Sequence, residues 1–227
     1  MVSLPRNLMK RIVFLLFMFS SFFLYAAAES YMTFSLGWSY DTNIFSTPYP
    51  VGYDPDTDDY PNGGKYIKRH NVIASFDADL FFSEGDRFGL SVGGILALPV
   101  YARTVTPSLA DGNLIHTESA DRDAHLSLFF SVGSVFRYSW DSFTLLLPIR
   151  LSIGTYDWFA SGVILGVNIS PSFQVGISDF IALRCSFLYD IHFMKLFSES
   201  AQVYDDGYIM LNAGASIGFV LTLGGEK

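Results

Sequence analysis

The chain has 227 residues, half of them hydrophobic and 17% aromatic, with 14 Lys and Arg against 22 Asp and Glu, a net charge of −8. Soluble domains carry about 25% charged residues; here the figure is 16%, and an acidic chain without a basic stripe excludes a nucleic-acid binder. A single Cys185 excludes an internal disulfide, four scattered His show no zinc-ligand spacing, and 22 Phe with 13 Tyr exclude a disordered chain.

Arg6, Lys10 and Arg11 precede an apolar run from Ile12 to Tyr25, and Ala26, Ala27 and Ala28 follow as small residues before Glu29 and Ser30. Basic, apolar and small-residue regions in this order read as a secretory signal over residues 1–28. Its removal takes three positive charges and no negative ones, moving the net charge from −8 to −11. The fold is then expected in residues 29–227.

Strict alternation follows. The first strand sets Met32, Phe34, Leu36, Trp38 and Tyr40 against Thr33, Ser35, Gly37, Ser39 and Asp41. The second sets Val72, Ala74, Phe76, Ala78, Leu80 and Phe82 against Asn71, Ser75, Asp77 and Asp79. The third runs from Phe88 to Val100 with Gly89, Ser91 and Gly93 on its small face, and the fourth from Ala124 to Arg137 with His125, Ser127, Ser131, Gly133 and Arg137 on its polar face. The fifth (Phe143 to Ile153) carries Arg150, the sixth (Val163 to Val175) carries Asn168, Ser170, Ser172 and Gln174, and the seventh (Ile181 to His192) carries Arg184, Asp190 and His192. Side chains in a strand change face at every residue, so a period of two sustained this long is a strand signal.

Two charge-free stretches, Trp158–Ser178 and Gly207–Gly225, are long enough for membrane helices. The second alternates Ile209, Leu211, Ala213, Ala215, Ile217, Phe219, Leu221 and Leu223 with Asn, Gly, Ser and Thr, and a helix would scatter those polar residues around every side. It is an eighth strand.

The apolar face is expected to point outward. The five lysines (10, 65, 68, 195 and 227) all fall outside the expected strands, whereas a soluble barrel wets its outer face with Lys and Glu. The other face is mostly Ser, Gly, Asn and Thr, small enough for the interior of eight strands. Trp38, Tyr40, Tyr101, Tyr156, Trp158, Tyr189 and Phe193 gather towards one rim, and Phe82, Phe88, Tyr138, Trp140, Phe143, Phe173 and Phe219 towards the other. Aromatic girdles belong at two lipid–water boundaries. Turns near 83–87, 139–142 and 176–179 alternate with longer links near 46–70, 102–122, 155–161 and 194–207, as periplasmic turns alternate with outer loops.

The expected fold is therefore all-β, a transmembrane antiparallel up-and-down barrel of eight strands. In this respect residues 29–227 resemble the small OmpX-like and OmpW-like barrels of the bacterial outer membrane. The resemblance is architectural and carries no diagnostic motif. It departs in one respect, because such proteins end on an aromatic residue that assists assembly, whereas here Phe219, Leu221 and Leu223 precede Gly224, Gly225, Glu226 and Lys227. OmpX-like resemblance implies a surface-exposed structural or adhesive protein; OmpW-like resemblance implies a narrow conduit for small solutes.

The candidate site is a charge network in the lumen: Asp77, Asp79, His125, Arg137, Arg150 and Arg184 all fall on the inward parity. Charges in a narrow interior are expected to pair, which makes a plug the leading reading and a selectivity lining the other. Three Arg against two Asp would give a conduit a weak anion preference. Asp54, Asp56 and Asp58 open like a calcium loop, but Asp59 stands where that loop needs Gly and Lys65 where it needs Glu. A solvated acidic loop is expected instead. His125 and Ser127 share a strand face, as a base and hydroxyl would, but no third group orients the imidazole. His70, His116 and His192 read as loop or rim residues, and Cys185 as an inert lipid-facing one. The expected protein is a non-enzymatic monomer without a cofactor, in contact with outer-membrane lipid and with outside partners through 46–70 and 102–122.

Overall fold

In the computed structural model, residues 27–45, 66–83, 85–110, 113–120, 126–155, 163–196 and 208–224 are described. They form ten strand segments and no helix: β1 (Glu29–Phe45), β2 (Tyr66–Phe81), β3 (Phe88–Ala110), β4 (Asn113–Ala120), β5 (Ser127–Trp140), β6 (Phe143–Thr155), β7 (Val163–Ile169), β8 (Ser172–Gly176), β9 (Ile181–Leu196) and β10 (Tyr208–Gly224). Every neighbouring pair is antiparallel, and β1 pairs with β10, which closes the sheet. The ten segments make eight barrel strands, because β4 and β5 both lie against β3, while β7 and β8 lie end to end between β6 and β9.

The break between β7 and β8 has a local cause. Pro171 has no N–H to give the ladder, and Pro148 of β6, which stands opposite its neighbour Ser170, has none to give back to Ser170. Ser170 N donates to Pro148 O at 3.2 Å, and Phe187 N to Pro171 O at 2.9 Å, so the sheet continues across the gap. One continuous sixth strand was the expectation; two prolines on successive rungs of the ladder divide it.

Strand ends also differ from the sequence reading. β3 has 23 residues, more than twice the about 9–11 that cross an apolar band. Its last part pairs with β4 from Arg103↔Ala120 to Ala110↔Asn113, so most of the expected 102–122 loop is a hairpin. Residues 66–70 belong to β2 rather than to a loop, which puts Lys68 in a strand; Lys195 likewise lies in β9. Lys68 lies in the end portion that outruns the apolar band, where charge meets water.

A bulge at Pro99–Val100, opposite the His70/Asn71 step, resets the parity of β3. Val100 and Tyr101 are consequently both exposed, at 53% and 42%. Asp141, at φ 49°, turns β5 into β6 through Asp141 and Ser142 alone, using the left-handed region that Asp tolerates.

Cross-strand partners give the barrel its dimensions. From Asp79 the register runs through Ser91, Gly133, Arg150, Asn168, Asp190, Asn212 and Asp41 to Arg69, returning to β2 ten residues from its start. With ~3.3 Å per residue and ~4.8 Å between strands, that shear over eight strands tilts them by about 41° and sets a backbone radius of about 8 Å.

Polarity is inverted relative to a soluble protein. Phe34, Leu36, Phe88, Phe130, Leu151, Ile217 and Phe219 are each more than half exposed, while Asp79, Arg150, Arg184, Asn168 and Asp190 are buried. The outward aromatics include Trp38, Tyr101, Tyr189 and Phe193 at the loop end, and Phe82, Phe88, Tyr138, Trp140 and Phe219 at the turn end. A closed sheet with this surface satisfies its own backbone and leaves only hydrocarbon-compatible groups outside, the two conditions for crossing a bilayer.

Candidate functional site in the polar lumen

Eight strands leave an interior just wide enough for side chains, and three arginines occupy its turn-side half. Each reaches across the lumen to a strand three places away round the wall. Arg150 of β6 donates from Nη1 to Asp77 Oδ1 of β2 at 2.5 Å and from Nε to Ser91 Oγ at 2.8 Å. Arg184 of β9 donates to Asp79 Oδ2 at 2.8 Å and to Gln174 Oε1 at 3.1 Å. Ser91 Oγ donates to Asp79 Oδ1 at 2.5 Å and joins the two arginines into one network. Nearer the mouth, Arg137 of β5 pairs with Glu29 of β1, is buried, and lies with its guanidinium 3.9 Å from the Phe81 ring centroid. It also donates to Tyr31 Oη and Asp86 O, each at 3.0 Å.

The geometry depends on one glycine. A Cβ on Gly93 would lie 2.3 Å from Arg150 Nη1 and 2.9 Å from both Asp77 Oδ1 and Ser131 Oγ. The guanidinium therefore sits where any other residue would put its side chain. The small faces of β1 and β10 make similar room: Ser35 faces Gly218, Gly37 faces Ser216, and Ser39 faces Gly214.

Apolar layers bracket the charges. Tyr31, Phe81, Val135, Leu146, Ala182 and Val220 pack together at the turn end. Ile73, Ile95, Ala97, Phe129, Ile164, Leu188 and Met210 pack on the loop side. Beside Asp77 and Arg150 a space lined by Ser75, Ser170, Ser186 and Ser216 has room for about one water molecule.

The loop-side half holds a different set. Asp41 accepts from Asn71 Nδ2 at 2.8 Å, and Asp190 accepts from Asn168 Nδ2 at 2.6 Å, and both carboxylates are buried. His192 stacks on Phe129 at 4.7 Å, with Nε2 3.3 Å from Ser152 Oγ. It is a lumen residue, not the expected rim residue, because β9 runs past it to Leu196 and its even parity points inward. Gly166 makes the room, since a Cβ there would meet His192 Cδ2 at 2.5 Å. Neither amide atom of Asn212 has a hydrogen-bond partner, although the residue is buried.

No protein-family model matches the chain, and no curated protein does either. Among solved structures, the chain is similar to Neisserial surface protein A, with 8% identity and a TM-score of 0.49 over 84% of this chain and 96% of that one. It is also similar to Ail, the attachment invasion locus protein of Yersinia pestis, crystallised with the heparin analogue sucrose octasulfate: 13% identity, TM-score 0.39, 86% of this chain and 99% of that one. A third is the outer membrane protease OmpT from Escherichia coli, at 7% identity and TM-score 0.39 over 86% of this chain and 96% of that one.

Of the sequence candidates, Asp77, Asp79, Arg150 and Arg184 form one network and Arg137 a separate pair with Glu29. His125 lies outside the described residues, as do Asp54, Asp56 and Asp58; Ser127 is buried in the wall's inner face. The expected excess of Arg over Asp does not hold. Glu29, read from sequence only as the first polar residue after the signal, is the third acid and balances Arg137. Arg69 was hidden inside an expected loop, although its parity matches Asn71. Among the described residues, no group of three or more His, Cys, Asp or Glu is placed to hold a metal ion.

Proposed function

We propose that this chain is an integral protein of the bacterial outer membrane with a structural, surface-interaction role, and that its lumen is a plug rather than a path. The observation that carries this reading is the turn-side charge layer. Two Arg and two Asp cancel, each Arg is tied to a strand across the barrel, and apolar layers close the lumen above and below. Buried polar groups are expensive to separate once paired, so the network braces the barrel and obstructs it at once. Residues 1–28 serve as the export signal in this reading. The long links, together with the β3–β4 hairpin, present the surface that meets partners, and the acidity of the chain disfavours acidic ones. No chemistry is assigned to the Ser152–His192 contact, which is buried beneath the loop end.

The alternative is a narrow conduit, favoured by the hydratable space beside Asp77 and by the unpartnered amide of Asn212. Planar-bilayer recording separates the two. The purified protein is expected to insert, shown by heat-modifiable electrophoretic mobility, and to remain electrically silent. Discrete openings that grow when Arg150 is replaced would overturn the plug and establish the conduit.

A further inference from the structure

Glu29, Asp77 and Asp79 in the turn-side lumen each have an arginine. Asp190 in the loop-side half has none. It is 1% exposed, its Oδ1 accepts from Asn168 Nδ2 at 2.6 Å, and its Oδ2 has no hydrogen-bond partner. Among the described residues no Lys, Arg or His comes within ion-pair distance of it. The nearby bases are engaged elsewhere. Arg150, beyond Asn168 in the register, is bound to Asp77 and Ser91. His192, on the same face of β9, stacks on Phe129 and sets Nε2 against Ser152 Oγ. A buried carboxylate without a counter-charge is costly.

The neighbouring strand supplies a second oxygen in the same condition. Asn212 of β10 is the register partner of Asp190 on one side and of Asp41 on the other. It is 2% exposed, and neither its Oδ1 nor its Nδ2 has a hydrogen-bond partner. Side chains opposite each other on adjacent strands stand about 5 Å apart, so a single ion between β9 and β10 can touch Asp190 Oδ2 and Asn212 Oδ1 together. Carboxylate and amide oxygens are the ligands that hard cations take. Charge then sets the valence. Asp41 brings a second negative charge beside Asn212, and Arg69, its register partner on β2, brings a positive one. Among the described residues, the ring of Arg69, Asp41, Asn212, Asp190 and Asn168 therefore carries an excess of one negative charge.

We propose that the loop-side lumen binds one monovalent metal cation of the sodium class between Asp190 and Asn212, with water completing its shell. The ion supplies the counter-charge that Asp190 lacks and a partner for the amide oxygen of Asn212. Leu188 and Met210, both buried, lie two residues away on these strands, towards the turn end and the loop end respectively. The position is thus enclosed, which couples binding of the ion to folding of the barrel. The inference requires the closed barrel and holds whether or not the lumen conducts.

The test refolds the full chain into phosphatidylcholine vesicles and unfolds it in urea, with sodium chloride exchanged for N-methyl-D-glucamine chloride at constant ionic strength. An ion that binds only the folded chain multiplies the folded-to-unfolded ratio by one plus its concentration over Kd, so sodium at about three times Kd gives about fourfold. Asp190→Asn keeps the shape and removes the charge, and Asn212→Leu removes the carbonyl ligand. Each should abolish the sodium effect, and heat-modifiable mobility shows that the sample compared is folded. Equal ratios in the two salts overturn the proposal. So does a sodium effect that survives undiminished in either folded variant, which would put the ion elsewhere on the chain. A ratio indifferent to sodium that climbs as pH falls would mark a proton on Asp190 in place of the ion. A calcium effect larger than that of sodium at equal ionic strength would overturn the charge count and assign the site to a divalent ion.

Discussion

The two halves of the lumen solve the problem of burying polar groups differently. In the turn-side half the acids Glu29, Asp77 and Asp79 stand on β1 and β2, and the bases Arg137, Arg150 and Arg184 stand on β5, β6 and β9. Opposite charges on opposite walls pull the barrel together across its bore. In the loop-side half, by contrast, Asn71 and Asn168 donate to Asp41 and Asp190 along the wall, and Asn212 has no partner for its amide. One half is braced across the lumen by ion pairs; in the other, Asp41 and Asp190 are each held by an Asn of the neighbouring strand. Stability is therefore expected to be concentrated near the turns, which leaves the loop end free to change.

Four substitutions probe that contrast, beginning with the strongest. Arg150→Ala strands Asp77 and Ser91 and removes one cross-lumen brace, so a loss of about 3–5 kcal/mol is expected from a broken buried pair. Urea unfolding in lipid vesicles reads it, and an unchanged midpoint would mean that the brace contributes nothing. Gly93→Ala puts a methyl against the same guanidinium and should cost about 1–3 kcal/mol, as overpacking does. Here the informative control is Gly94→Ala, one residue on and outward, where the added carbon meets nothing closer than 3.8 Å.

On the loop side, Asn212→Leu should change stability by less than about 1 kcal/mol in either direction, because removing an amide without partners gives back its desolvation cost. A loss as large as that of Arg150→Ala would erase the distinction between the halves. The smallest effect belongs to Glu118 on the hairpin. Hydrogen bonds from Lys68 and then Arg103 hold its carboxyl below the ordinary glutamate value. A depressed carboxylate contributes its stabilisation above the unfolded-state pKa and loses it as pH falls through the folded-state value. Hydrogen exchange across Asn113–Ala120 should therefore quicken only at acidic pH, and Glu118→Gln should abolish that pH dependence.

How much of this could be read beforehand depends on the range of the interaction. Parity placed Asp77, Asp79, Arg137, Arg150 and Arg184 on the inner face because it is a property of neighbouring residues on one strand. It could not pair them, since Arg137 and Glu29 are 108 residues apart and Arg184 and Asp79 are 105 apart. Strand ends were the weaker part of the reading: Arg69 and Lys68 looked like loop, and His192 looked like rim. A strand that leaves the bilayer loses its apolar face and with it the period that revealed it, although its backbone ladder continues. The prolines show the same limit, for Pro171 alone signals a break, and only the register discloses that Pro148 stands one rung away, opposite Ser170.

The sequence by itself determined that the chain is a succession of two-faced strands with grease on one side and small polar residues on the other. That much is inevitable once side chains must alternate and a bilayer must be crossed by a closed sheet. Only the tertiary structure decided the shear, and through the shear which acid meets which base. A side chain's height along the barrel depends on strand tilt as well as on its place in the strand, and tilt is a property of the closed cylinder that no single strand possesses.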